Sequence, residues 1–374
     1  AIYADPKLDE ILAYWTRRTT VTSDPTLSRR VQLWNQTREV AVVVLDPAIG
    51  ALESALAARI EGHRFTLDGK AVTRAELARI LATDPDQTAR RKAWAALASV
   101  ASEVKVDVKR LVRMRADKSQ PRRNRYFHDL IYRAQDLDPY WVYHVMGLFI
   151  TRTNGAWANL VDSLRAAAGQ KELQPWDLDF AMTQRAKQKG LGRIVEAVLR
   201  PEGAIPATRK LMESLGFDPS RAPLRIEVRP LAAGSLWIPV LIPTDLRAVV
   251  SPAPGPFGAI AFYETVLREQ GRALQAAFNP HGAPMLKGYP WIPGAASEVY
   301  AEGMAGALGD FLRDPLFVSK VLGLSAADAR TFLEMEKERR LLQLRRLLLG
   351  MGIEFTIYAN PDADLDGARL VEEV

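Results

Sequence analysis

The spacing of apolar residues along the chain predicts a protein made mostly of helices. Between Trp94 and Val112, apolar residues recur every three or four positions, which is the period of one buried helix face. Asp-Pro pairs precede several such segments, and Thr73 with Glu76 forms the capping-box pattern that starts a helix. Helices are therefore predicted over residues 5–18, 26–62 with a break at 46, 74–82, 84–118, 140–169, 259–278 and 325–349, where Gly350 ends the last.

Residues 224–250 follow a different pattern. Three short runs, Leu224–Val228, Leu236–Leu241 and Leu246–Val250, are separated by Pro, Gly and Asp and indicate two or three strands of a small sheet. The expected fold class is therefore mostly α, with a small β-sheet directly before the helix at 259–278. Three regions are expected: an N-terminal helical region over 1–83, a helical body over 84–223, and the sheet with the helices that follow it over 224–374.

Composition removes several classes of function. The net charge of +6, from 50 basic and 44 acidic residues among 374, is mild, and no basic block or basic-aromatic stripe accompanies it, so nucleic-acid binding is not expected. The absence of cysteine excludes disulfides, thiolate catalysis and cysteine-based zinc sites. No apolar run is long enough to predict a membrane span. The first residue is Ala1 rather than Met, which fits either a cleaved export signal or a shortened chain, so the compartment stays open.

The helix predicted at 259–278 contains the run Arg268-Glu269-Gln-Gly-Arg272. Taken alone, the two arginines are an i,i+4 pair on a solvated helix face, with Glu269 offsetting their charge. Their position after a small sheet is, however, that of the H-E-x-x-H motif of zinc peptidases, in which two histidines bind the metal and the glutamate is the general base. Glu302 comes 30 residues after Arg272 and lies where the later helix that carries the third ligand of such a site would be.

Further segments occur in the same order as in one peptidase family. Pro175-Trp176-Asp177 is similar to its P-W-D motif, residues 111–115 and 125–127 are similar to an earlier motif, and residues 353–358 are similar to a segment that follows the metal site. Over most of residues 84–374 the chain resembles the oligoendopeptidase F and thimet oligopeptidase family of zinc metallopeptidases, within the same larger group as angiotensin-converting enzyme. The resemblance implies a large helical fold and a relation to enzymes that hydrolyse short peptides.

The resemblance places arginines where the family has zinc-binding histidines. Arg268 and Arg272 are always protonated and offer no lone pair to a metal ion. Glu302 alone cannot hold zinc, so zinc is expected to be absent, no catalytic residue is assigned, and Glu269 is the vestigial position of the general base. The sequence also ends before the family's stretch with a Tyr and a His that stabilise the tetrahedral intermediate. We expect Arg268 or Arg272 to pair with Glu302, and Glu269 to accept from the other arginine or from another donor.

The expected function is that of a catalytically inactive zinc-metallopeptidase homologue that acts as a peptide-binding or protein-binding regulatory subunit. An extended peptide is expected to bind along a strand that we interpret as the edge of the sheet. The residues of this strand are Leu246, Arg247, Ala248, Val249 and Val250. Two alternatives stay open. One is an oligopeptide hydrolase with an atypical or partner-completed active site, and the other is a subunit that pairs with an active paralogue or with a C-terminal fragment as a second chain.

The four histidines do not indicate a metal site, because no two of them lie at helical ligand spacing. His281 is either a loop residue or a displaced ligand. His128 and His144 are interpreted as core or surface groups of aromatic-rich helices, and His63 as a residue at the end of a helix. The sequence contains no G-x-S-x-G, P-loop or G-x-G-x-x-G motif.

Overall fold

A computed structural model describes residues 3, 5–119, 126–231, 235–253, 255–279 and 298–361. The predicted fold class, mostly α with a small sheet, is confirmed. The helices are α1 (Lys7–Thr16), α2 (Thr19–Thr22), α3 (Pro25–Val44), α4 (Pro47–Gly62), α5 (Arg74–Thr83), α6 (Gln87–Ala98), α7 (Val100–Ser119), α8 (Phe127–Ala134), α9 (Pro139–Ala168), α10 (Leu178–Gln188), α11 (Leu191–Val198), α12 (Ala204–Ser214), α13 (Gly255–Ala277), α14 (Glu298–Gly309) and α15 (Ala326–Ala359). The strands are β1 (Phe65–Leu67), β2 (Lys70–Val72), β3 (Leu224–Val228), β4 (Ser235–Leu241) and β5 (Asp245–Val250).

Helix starts follow the local sequence signals closely. Asp24, Asp46 and Asp138 cap α3, α4 and α9, and in each case the side chain accepts hydrogen bonds from the first backbone N–H groups while a proline occupies the first turn. The capping box at the start of α5 is also present, since Thr73 Oγ1 accepts from the Glu76 N–H at 3.1 Å and Glu76 Oε2 accepts from the Thr73 N–H at 2.7 Å.

Several local features differ from the sequence expectations, and helices α2, α10, α11 and α12 were not predicted. The helix predicted over 84–118 is two helices, α6 and α7, which meet at Ser99. The last helix does not end at Gly350 but continues to Ala359, because a glycine inside a helix costs only about 1 kcal/mol relative to alanine. Strands β1 and β2 form an antiparallel hairpin that was not predicted, and Asp68 and Gly69 at its turn have φ angles of 50° and 77°.

The chain divides into two compact units, and the first comprises residues 1–185 and 340–374. Its larger core cluster joins α3, α4, α7, α8 and the end of α15 through Val43, Ile49, Leu56, Val104, Leu111, Val112, Phe127, Leu130 and Tyr358. A second cluster lies between the hairpin and α5 and α6, and it consists of Phe65, Leu77, Leu81, Ala93 and Ala96.

The second unit comprises residues 186–339 and contains the three-stranded sheet. The strand order is β3-β5-β4, with β5 parallel to β3 and antiparallel to β4. Helix α13 packs on this sheet through Ala273 and Ala276, which contact Ile242 and Leu246. The predicted division at residues 83/84 and 223/224 stays a prediction.

No single helix in the described ranges is long and apolar enough to cross a membrane. Helices α3 and α4 together have the length and the apolar composition of a membrane span, but the chain bends by 61° between them.

Candidate functional site

Helices α13 and α14 pack closely and bring four predicted site residues together. Gly271 allows this approach, because a Cβ atom built on it lies 2.5 Å from the Met304 carbonyl oxygen and 2.8 Å from the Ala305 Cα. Both atoms belong to the backbone of α14, so they cannot move aside as a side chain would. The glycine in the R-E-x-G-R run therefore sets the distance between the helix that carries Arg268, Glu269 and Arg272 and the helix that carries Glu302.

Replacing Gly271 by alanine is expected to destabilise the second unit by about 1–3 kcal/mol, because the added methyl group forces α13 and α14 apart. Gly303 is the matched control, since a Cβ built there meets nothing within 4 Å. Gly303→Ala is expected to be neutral or stabilising by up to about 1 kcal/mol through its helix propensity. Urea unfolding of both variants measures the difference, and equal stabilities would contradict this account of the helix contact.

The ion pair predicted for Glu302 is present, and it involves both arginines. Arg268 Nη2 donates to Glu302 Oε2 at 2.5 Å, while Arg272 Nε donates to Glu302 Oε1 at 3.1 Å and Arg272 Nη2 contacts the same oxygen. Arg272 Nη1 also donates to Glu269 Oε1 at 2.5 Å. The arrangement differs in one detail from the expectation, because Glu269 accepts from an arginine that already binds Glu302.

Burial differs sharply between the two carboxylates. The Glu302 side chain is 48% exposed, whereas that of Glu269 is 1% exposed. Because water reaches Glu302, its ion pairs contribute little to stability. Glu269 Oε2 is buried and has no hydrogen-bond partner among the described residues. Burial by itself would lower the pKa of Arg272, but Glu302 and Glu269 outweigh it and raise that pKa above its ordinary value.

A second charged network lies one turn before this site on α13 and is more deeply buried. Arg339 on α15 donates to Glu264 Oε2 at 2.7 Å and to both oxygens of Glu336 at 2.6 and 2.8 Å. Arg313 Nη2 donates to Glu264 Oε1 at 3.1 Å. Burial would raise the pKa of Glu264, yet the two arginines hold it below its ordinary value. The network fixes the orientation of α13 within the second unit.

The residues at the α13–α14 site do not fit zinc. Arg268 and Arg272 offer no lone pair, both oxygens of Glu302 already accept from guanidinium groups, and Glu269 offers one unpaired oxygen only. Within the part of the chain that the structure describes, no group of three or more His, Asp or Glu side chains is placed to hold a metal ion. The absence of zinc from the protein itself stays a prediction.

The interpretation of residues 246–250 as an edge strand is wrong. Strand β5 is the central strand, and its backbone pairs with β3 on one side and β4 on the other. Leu246, Ala248, Val249 and Val250 are buried and only Arg247 is exposed, so an added peptide strand has no free backbone there. Among the described residues, the outer strands of this sheet are β3 and β4. Strand β4 exposes Leu236, Val240 and Leu241 at 48%, 46% and 55%.

The remaining motif residues lie in the first unit, where they make internal contacts. Asp177 of the P-W-D motif accepts from Arg90 Nε at 3.0 Å and from Arg90 Nη2 at 2.6 Å. Arg115 donates to the Tyr358 hydroxyl at 2.8 Å, so two of the predicted motif segments meet directly. Residues 120–125, including Arg125, lie outside the described residues.

The histidines have different surroundings. His128 is buried, and its Nε2 lies 2.6 Å from the Tyr143 hydroxyl, while burial lowers its pKa despite the opposing charge of Asp129. His144 is exposed, and His281 lies outside the described residues. His63 follows the end of α4, as expected, but its ring also contacts Ser99 and Glu103, which no local sequence signal indicated.

Comparison with solved structures shows that the fold of this chain is similar to that of several peptidases. The solved structure of a putative oligoendopeptidase F from Bacillus anthracis str. Ames aligns with 97% of this chain at a TM-score of 0.62 and 13% identity. The fold is that of oligoendopeptidase F. A second putative oligoendopeptidase F gives a TM-score of 0.58 at 17% identity over 94% of this chain, and PZ peptidase A with an inhibitor gives 0.57 at 16% over 94%.

The similarity in fold is not accompanied by a detectable similarity in sequence to a known family. No protein-family model matches the sequence, and no curated protein matches it. The chain spans about two thirds of the length of the solved structures, covering 66%, 62% and 63% of them. At these identities the comparison establishes the fold alone, and the chemistry has to be argued from the residues of this chain.

Proposed function

We propose that this protein is a zinc-independent, non-proteolytic member of the oligoendopeptidase F-like fold that binds peptides. The observation that carries the proposal is the engagement of Glu302 by both Arg268 and Arg272. The guanidinium groups neutralise the carboxylate that would otherwise bind a metal ion. Without a metal ion, Glu269 has no activated water to deprotonate, so the zinc-dependent step of peptide hydrolysis is lost.

Metal analysis tests this proposal directly. We expect the purified protein to contain far less than one zinc ion per chain, and to leave a set of fluorogenic peptides uncleaved with or without added zinc. Stoichiometric zinc together with hydrolysis that a chelator abolishes would contradict the proposal and favour an oligopeptide hydrolase with an atypical site.

A double substitution separates the role of the arginines from that of the helix. Arg268→His with Arg272→His is expected to gain zinc affinity, because two neutral imidazoles one turn apart then face Glu302. Lys105→His with Lys109→His on α7 is the matched control, since it supplies the same i,i+4 histidine pair without Glu302. If both pairs bind zinc equally, Glu302 is not placed as a ligand.

The peptide is proposed to add to the sheet at β4 rather than at β5. An outer strand offers unpaired backbone groups to an extended chain, and the exposed Leu236, Val240 and Leu241 offer apolar contacts to its side chains. Peptides selected from a library are expected to slow amide exchange in β4 and to bind equally well with chelator present. Binding that leaves β4 exchange unchanged would place the peptide elsewhere.

A further inference from the structure

Three polar side chains meet in the first unit where the end of α4 approaches the junction of α6 and α7. His63 Nε2 lies 2.8 Å from Ser99 Oγ, and His63 Nδ1 lies 2.8 Å from Glu103 Oε1. A hydroxyl, an imidazole and a carboxylate therefore stand in a continuous hydrogen-bonded line. This is the order that activates a serine: the carboxylate orients the imidazole, and the imidazole accepts the hydroxyl proton.

The hydrogen-bond partners determine which ring nitrogen of His63 carries the proton. An ionised carboxylate can only accept, so Nδ1 must carry the hydrogen that Glu103 receives. Nε2 of the neutral ring is then an acceptor, and it faces Ser99 Oγ. The Ala96 carbonyl, 2.7 Å from Ser99 Oγ, is the competing acceptor for the hydroxyl hydrogen. Rotation of the hydroxyl hydrogen from the Ala96 carbonyl to His63 Nε2 directs the Ser99 proton to the base.

The surroundings hold the base in place and leave the hydroxyl open. The His63 side chain is 7% exposed and its ring packs edge-on against Phe65 with 4.7 Å between centroids, whereas Ser99 is exposed. Arg59 donates to the Glu103 carbonyl oxygen at 3.3 Å and contacts Asp107, which ties α4 to this turn of α7. The imidazole is therefore fixed while a ligand can reach Ser99 from solvent.

The backbone next to Ser99 supplies donors for a developing negative charge. Helix α7 begins at Val100, so the N–H groups of Val100 and Ala101 lie in its first turn, outside the hydrogen-bond ladder of their own helix. A nucleophile immediately before such a turn has oxyanion donors in the residues that follow it.

We propose that Ser99, His63 and Glu103 form a hydrolytic site for small acyl esters, separate from the α13–α14 site. Ser99 Oγ bonds to the ester carbonyl carbon while its proton passes to His63 Nε2, and the Val100 and Ala101 N–H groups bind the oxyanion. The carbon–alkoxide bond then breaks and the alcohol leaves with the proton from His63. Water then bonds to the acyl carbon as His63 Nε2 takes its proton, the bond from that carbon to Ser99 Oγ breaks, the acid leaves, and the proton on His63 returns to Ser99 Oγ. Glu103 is a positioning residue. The open setting of Ser99 suits unhindered esters.

A fluorophosphonate probe tests the nucleophile, because attack forms an Oγ–P bond, breaks the P–F bond and leaves a stable label. Intact mass and peptide mapping are expected to show one label per chain, on Ser99. p-Nitrophenyl acetate hydrolysis is expected to fall on the order of 10²-fold or more in His63→Asn and to the uncatalysed rate in Ser99→Ala. Ser54→Ala is the control, because Ser54 is also exposed on a helix but its hydroxyl donates to the Gly50 carbonyl oxygen, and this variant should react as the unmodified protein does.

The role of Glu103 has its own readout. In Glu103→Ala the ¹⁵N NMR signals of His63 are expected to shift towards the Nε2–H tautomer, together with a loss of labelling on the order of 10-fold or more. Thermal melting of each variant confirms that it is folded. The proposal is overturned if the unmodified protein is labelled no more than Ser99→Ala, or if the label is found on other residues. It is also overturned if the rate of p-nitrophenyl acetate hydrolysis is unchanged in His63→Asn. None of these results depends on zinc or on peptide binding.

Discussion

Asp177→Ala is expected to lower the free energy of unfolding by about 3–5 kcal/mol, because it leaves a buried guanidinium without its counter-ion. The side chains of Arg90 and Asp177 are both 0% exposed. Asp177 Oδ2 also accepts from Gln87 Nε2 at 2.8 Å and from the Gln174 N–H at 3.1 Å, so the carboxylate joins α6 to the turn that precedes α10. The Arg90 guanidinium in addition lies 4.2 Å from the centre of the Phe180 ring.

Asp179→Ala is the matched control for this change. Asp179 lies two residues further on and pairs with Arg346, but both side chains are 47% exposed. Its loss is expected to cost less than about 1 kcal/mol. Urea unfolding followed by circular dichroism compares the two variants, and similar losses in both would show that the Arg90–Asp177 pair is not the anchor of this part of the first unit.

Glu336→Ala is expected to cost about 3–5 kcal/mol in the second unit. Glu336 is 0% exposed, and its removal leaves the charges of Arg339 and Arg313 with Glu264 as their buried partner. Because the pKa of Glu264 is below its ordinary value of 4.5, the contribution of the ion pairs that Glu264 makes is present above that pH. It is lost as the pH falls through the lowered pKa of the folded protein.

Two comparisons make this prediction specific. Glu334→Ala removes a carboxylate two residues earlier on α15 that pairs with Lys189 and is 45% exposed, and it is expected to cost less than about 1 kcal/mol. The double variant Glu336→Leu with Arg339→Met is expected to lose less stability than the sum of its single changes, because apolar groups leave no unpaired charge. Additive losses would contradict the network.

Local signals in the sequence were sufficient for the starts of α3, α4, α5 and α9. Asp followed by Pro, and Thr73 with Glu76, act within a single turn, so the residues that cap a helix lie next to those that form it. The helix that carries Arg268, Glu269 and Arg272 was also predicted from the local sequence. Their position relative to α14 could be predicted only with the resemblance to a peptidase family, which placed Glu302 opposite the two arginines.

Features that depend on contacts between residues far apart in the chain could not be predicted from local sequence signals. Strand β5 could not be recognised as central, because its parallel partner β3 lies more than one strand earlier in the chain. The contact of His63 with Ser99 and Glu103 joins residues 36 and 40 positions apart, and each of them has an ordinary local setting. The break between α6 and α7 at Ser99 was hidden by an apolar spacing that continues across it.

The proline in β4 has a consequence for self-association. An outer strand with exposed Leu236, Val240 and Leu241 is a template on which copies of the same chain can polymerise. Pro239 lacks an N–H, and a proline is accommodated in a sheet where that group would face away from the neighbouring strand. The row of donors along the open side is therefore interrupted midway. One short peptide strand can still pair beside Ser235 and Trp237, but this edge cannot start an uninterrupted cross-β assembly.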